Sequence, residues 1–252
     1  MTLRRLVLLL PCLLAVAAIV PRPVAAQGVV ADLSDHLIAI TTAFSGTDVL
    51  LFGALDEAGT DVAVVVRGPE TDEIVRHKTR VGPIWLNTGE MTFAKAPSYY
   101  AVASSKPLEE LADPGELRRH GIGTHNLGFE RMASPRASPG EVRPFVDALI
   151  RNKQREALYT SHAVPIRFIG PRLFRTTLSF PANVRPGQYE VQVFEVRDRA
   201  VVSAQHNALL VSKIGVEADI YDAAHRHPAL YGLASVVLAI VAGWAASVMF
   251  KK

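Results

Sequence analysis

Eight histidines, 24 aspartates and glutamates and one cysteine are the side chains from which this chain could build a reactive centre. The cysteine, Cys12, lies in an apolar N-terminal run and follows Pro11, where lipid attachment needs a small residue, so no thiol chemistry is expected once that run is removed. His120 and His125 are five apart, not the four that set two imidazoles on one helix face, and His225 and His227 chelate a metal only where the chain is extended. We read these as solvated, with His225 and Arg226 close to anionic lipid head groups, and give His36, His77, His162 and His206, in or beside predicted strands, no role. The adjacent pairs Asp56-Glu57, Asp72-Glu73 and Glu109-Glu110 fall in turns or on exposed helix faces, where carboxylates contact solvent rather than share a cleft for acid–base work. There is no GxSxG elbow, HExxH or P-loop, and the THNLG after Gly123 breaks a dinucleotide-binding pattern. The expectation is a non-enzymatic protein with no catalytic, cofactor-binding or metal-binding residue.

The two ends explain the charge. Arg4 and Arg5 precede an apolar run from Leu6 to Val20, and PRPVAA follows with Val24 and Ala26 as small residues before Gln27. This reads as a signal peptide over residues 1–26, too short and too proline-bounded for a spanning helix. Residues 229–250 hold no charged side chain, about 33 Å of helix, and Lys251 and Lys252 follow. Positive charge stays on the cytoplasmic side, so we expect a single inner-membrane span, a periplasmic body and a cytoplasmic tail of residues 251–252. The chain carries a net charge of +3, but all 24 acids lie beyond residue 26 and three of the 27 basic residues before it, so the mature chain balances. A nucleic-acid partner loses its electrostatic support.

The body must position whatever function remains. Residues 27–105 are written in short β-branched runs, LIAITTAF (37–44), VLLFGA (49–54), VAVVVRG (62–68), IVRHK (74–78) and SYYAVAS (98–104), broken by turns such as DEAGT. Residues 106–162 have helical spacing, with Phe145, Leu149 and Leu158 available for a buried stripe, and read as an insertion or bridge. Strands return over 163–213 in RLFRTTLSF and QYEVQVFEV, and Arg197-Asp198-Arg199 makes a tight turn into VVSAQHNALLVSK. A juxtamembrane helix over 214–228 then leads to the span. The expected fold is mainly β, with one or two Ig-like antiparallel β-sandwich lobes and a helical insertion; two lobes, 27–105 and 163–213, are preferred to one interrupted sandwich.

Two features invite a partner. Ser235, Ala239, Gly243 and Ser247 recur every four residues along the membrane helix and would let a second helix approach closely. Trp85 and Asn87 in GPIWLNTGEMTF are expected to be an aromatic plug closing a sandwich and a turn residue before Gly89, with a partner-binding surface as the alternative.

The stretches FSGTDVLLFGA, VVVRGP, GPIWLN, LFRTTLSFPANVRPGQYEVQVF, LVSKIG and YGLASVVLAIVAGW resemble a family of transmembrane proteins of alphaproteobacteria, over nearly all of residues 33–250. The resemblance implies an inner-membrane-anchored periplasmic protein, supplies no catalytic residues, and implies company with sulfite- or anion-exporter-type membrane proteins. The reading is therefore an accessory to an integral-membrane partner such as an anion exporter. A periplasmic ligand- or metal-binding module and a cell-envelope enzyme are the alternatives.

Overall fold

Val62, Ala63, Val64, Val65 and Val66 are all buried, so this strand must be covered on both faces, as a central strand is. The computed structural model, which describes residues 28–131, 139–215 and 224–249, shows what covers it. It is strand β4 (Asp61–Arg67) of a six-stranded sheet that also holds β2 (Leu37–Ile40), β7 (Tyr100–Ser104), β9 (Val164–Pro165), β12 (Gly187–Arg197) and β13 (Ala200–Lys213), in the order β2-β13-β12-β4-β7-β9. A second sheet of β1 (Val29–Leu33), β3 (Gly46–Leu55), β11 (Leu173–Pro181) and β10 (Arg167–Ile169) packs on the inner face. The core between them takes Val49, Leu51, Phe174, Leu178 and Phe180 from one side and Tyr189, Val191, Val193 and Leu209 from the other. On the outer face, α1 (Leu108–Leu111) and α2 (Pro114–His120) add Leu111 and Leu117 to the same core.

The two stretches expected as separate lobes share both sheets. β3 pairs with β11 from Gly46↔Pro181 to Ala54↔Leu173, and β4 pairs with β12 from Asp61↔Val196 to Arg67↔Glu190. There is one sandwich, not two, because each half lacks the strands to cover its own apolar face. LIAITTAF also forms less strand than expected: β2 stops at Ile40 and Phe44 N–H closes a turn on Thr41 O.

IVRHK and the Trp85 stretch do not join the sandwich. They form a long hairpin of β5 (Glu70–Val81) and β6 (Ile84–Pro97), extended by β8 (Glu130–Arg131) into a third sheet. Its base is closed by α3 (Pro139–Arg155), whose Val142 and Leu149 pack on Val75, Met91, Phe93 and Ala96. Lys153 Nζ reaches Glu73 Oε1 at 2.6 Å beneath this helix. Of the expected stripe, Leu149 and Leu158 are buried and Phe145 is half-buried against the small core.

Four buried tyrosines tie the layers together, and each phenol donates to a main-chain carbonyl: Tyr99 to Ser179 O, Tyr100 to Gly121 O, Tyr159 to Pro97 O and Tyr189 to Arg185 O, at 2.7–2.8 Å. Burial pushes all four above the usual phenol range, Tyr189 to about 12. A close approach is fixed at Gly53, where a Cβ would lie 2.5 Å from the Phe174 ring and 2.6 Å from Val30 O. The tight turn at Asp198-Arg199 is present, with φ of 49° and 65°. There the Arg199 guanidinium grips Asp113 Oδ1 at 2.8 Å and Glu109 O at 3.0 Å, holding α1 and α2 to the sandwich.

Helix α4 (Pro228–Met249) is the one helix among the described residues long and apolar enough to cross a membrane, and the body buries none of it. The signal-peptide expectation and most of the juxtamembrane helix lie outside the described residues; residues 224–226 are helical.

Candidate functional site

A groove of about 1060 Å³ lies on the outer face of the six-stranded sheet. Its floor comes from outward positions of β4, β12 and β13, which the register brings side by side: Arg67 lies opposite Glu190, and Gln192 opposite His206. One wall is the end of α2 with the chain as far as Phe129, and the other end opens at Lys95 and Pro97, beside the base of the hairpin.

Four side chains of the floor form one hydrogen-bonded chain, from Arg67 through Gln192 and Glu190 to His206. Arg67 donates to Gln192 Oε1 and to the carbonyls of His120 at 2.7 Å and Gly121 at 3.4 Å, so it ties the end of α2 to the sheet. Gly121 holds φ at 59°, the left-handed turn that ends α2 and aims those carbonyls inward. His206 Nδ1 lies 2.7 Å from Glu190 Oε1, and Gln192 Nε2 donates to the same oxygen at 2.9 Å. Partial burial by itself would raise the Glu190 pKa, but these two partners and the charges of His206 and Arg67 hold it below the ordinary carboxylate range. The His120 ring packs on Phe194 at 5.1 Å between centroids, with Nε2 3.6 Å from Glu116.

The sequence points to no site at Arg67, Glu190, Gln192 or His206, and His120 reads there as a solvated histidine. His206 reads there only as a histidine in or beside a strand, and Glu190 and Gln192 as members of the strand run QYEVQVFEV. Their convergence depends on strand register, which one sequence does not reveal. His120 and His125 separate: His120 lines the groove, while His125 and His162 line a smaller hollow of about 630 Å³. Among the described residues no three His, Cys, Asp or Glu side chains gather to hold a metal.

Trp85 is 65% exposed, so it plugs nothing; it stands on β6 opposite Arg80, as the second residue after the hairpin loop. Asn87 is not in a turn but within β6, opposite Lys78. Since i and i+2 share a strand face, Trp85 and Asn87 lie on one side of the hairpin with Arg80 and Lys78, and Ile84 and Leu86 on the other.

Ser235, Ala239, Gly243 and Ser247 all fall on α4, each step of four turning about 40° around the axis, so they form a shallow spiral. Ser235 Oγ donates to Tyr231 O at 2.9 Å, and a Cβ on Gly243 would meet open space. The family model described as "Putative transmembrane protein (Alph_Pro_TM)" matches residues 28–252. The chain belongs to the Alph_Pro_TM family. No curated protein and no solved structure matches it. This Alph_Pro_TM member is thus a membrane protein with a β-rich body and one C-terminal apolar helix among its described residues. The family description names neither a reaction nor a partner.

Proposed function

We propose that this protein is a non-enzymatic accessory of an integral-membrane partner, with α4 as its span of the inner membrane and the β-sandwich held in the periplasm. The observation that carries this reading is α4 itself: the body covers none of its residues, and its Gly243 side is open for close approach by another helix. An anion exporter is the partner class that the family resemblance suggests. The groove supports binding over catalysis, because Arg67, Gln192, Glu190 and His206 are hydrogen-bonded to one another.

Photo-crosslinking from position 239 in native membranes tests this. One partner should be trapped in an adduct that Gly243→Leu, harmless to the isolated helix, abolishes. An adduct pattern containing only this chain, or one unchanged by Gly243→Leu in crosslinking from position 239, would refute the accessory reading.

The groove favours a second reading, a periplasmic ligand-binding module. It requires a small molecule whose binding raises the melting temperature and whose effect is lost in His206→Ala. Screening that finds no such molecule removes this reading.

A further inference from the structure

We infer that the tip of the β5–β6 hairpin is a bilayer-docking element, which seats Val81, Ile84, Trp85 and Leu86 in the interfacial region of an anionic lipid surface. The observation is an exposed apolar tip with a basic rim. All four side chains are exposed, and between Glu73 and Glu90 the hairpin holds Arg76, Lys78 and Arg80 with no acidic residue. Glu90 takes up Arg76 at 2.7 Å. Arg80 Nε turns only to Gly82 O at 3.1 Å, so Lys78 and Arg80 make no ion pair among the described residues. Tryptophan beside aliphatic residues suits the boundary between head groups and acyl chains, and lysine and arginine are drawn to anionic head groups.

Register brings this tip and the membrane tether to one edge of the sandwich. β4 and β13 both run antiparallel to β12, and Arg67, the last residue of β4, and Val211, the last of β13 to pair with β12, lie opposite Glu190 and Gly187 near its start. The chain leaves that edge twice. After Lys213 it continues to α4 through 14 residues, a contour of at most about 50 Å. After Arg67 it enters β5 with the ladder unbroken: Gly68 N–H bonds Tyr99 O, Ser98 N–H bonds Pro69 O, and Glu70 lies opposite Pro97. Twelve residues of β5 span about 40 Å, a distance the tether can match. The loop is built for a tight end, since Gly82 supplies a φ of 62° and Pro83 follows it. Only two of the tip's apolar residues, Ile84 and Leu86, share a face with Val81, while Trp85 projects with Lys78 and Arg80. An occupant must therefore surround the tip rather than cover one side, which a lipid surface does and a flat protein surface does not.

This inference rests on the membrane helix and not on the accessory reading. The chain has two tryptophans, so full-length Trp244→Phe protein leaves Trp85 as its sole tryptophan. It is reconstituted in vesicles of equal phosphatidylcholine and phosphatidylglycerol, some with brominated acyl chains, and in phosphatidylcholine alone. The expected result is Trp85 emission shifted to the blue, quenched by the brominated lipid and shielded from aqueous iodide, more so in the anionic vesicles. Lys78→Glu with Arg80→Glu, both at exposed positions, should weaken the docked state about fivefold for each charge removed, and more on reversal. Iodide quenching without bromolipid quenching in both vesicle types overturns the inference, as does bromolipid quenching indifferent to both lipid charge and the double reversal. Shielding in native membranes but not in vesicles also overturns it, and assigns the tip to a protein.

Discussion

Raising the pH should dismantle this protein through its tyrosines, and Tyr159→Phe should reverse its effect on stability as it does so. Tyr99, Tyr100, Tyr159 and Tyr189 each donate a phenolic proton to a carbonyl in the folded state, an arrangement that ionisation destroys. Their folded pKa values are raised, so the stability they confer is complete below the unfolded value near 10 and is lost as pH rises from there through the folded values. Each group costs about 1.4 kcal/mol per pH unit in this window, and the four together about 5 kcal/mol per unit. Against a typical stability of about 10 kcal/mol, the body should unfold cooperatively about two units above pH 10. Tyr159→Phe loses one buried hydrogen bond, about 1 kcal/mol at neutral pH. It also removes one ionising group, worth about 2 kcal/mol at a pH 1.5 units above 10, so the variant should be the more stable protein there, with the two curves crossing at roughly pH 11. Tyrosinate absorbance and circular dichroism, followed together on the full chain in a non-ionic detergent, provide the assay. Phenolate signal from these tyrosines at pH 10 with the β signal intact would refute the argument, and so would a Tyr159→Phe variant that stays less stable at every pH.

The other predictions concern packing and charge. Lys153→Met leaves Glu73 without its cation beneath α3 and should cost about 3 kcal/mol, loosening the hairpin base before the sandwich, as hydrogen exchange at β5 would report. Gly53→Ala forces the new methyl into Phe174 and Val30 O and should lower stability by about 1–3 kcal/mol in a denaturant titration. The lowered pKa of Glu190 means that its contribution is present above the unfolded carboxylate value near 4.3 and is lost as pH falls through the folded one. Glu190→Gln should therefore flatten the acid limb of the stability profile, by less than about 1 kcal/mol because solvent screens this half-exposed pair.

What could be read from the sequence was local. The strand runs QYEVQVFEV and VAVVVRG, the Asp198-Arg199 turn and the apolar span of α4 are each set by neighbouring residues, and each stands in the structure as the sequence predicts. Partnership between distant strands was not legible. Two lobes were expected because residues 106–162 separate the β stretches in the chain, whereas burial of their apolar faces joins them in space. Short strands such as β9 and β10 carry too few residues for a pattern. Trp85 misled for a physical reason: a large aromatic flanked by strands is usually core, yet this hairpin runs beyond its small core and leaves its end uncovered. The groove was hidden for the same reason as the topology, since Arg67, Glu190 and His206 meet only through register.

The shared sheets also set a timetable for the newborn chain. β3 waits for β11, some 120 residues later, and β4 cannot be covered on both edges until β12 has emerged. The hairpin and α3 can close their small core earlier, but no N-terminal portion can close the sandwich core, so its two sheets must stay incomplete until synthesis has almost reached the membrane helix. Folding and arrival of the anchor become nearly simultaneous events, and any factor that shields the unfinished strands has to act right up to that moment.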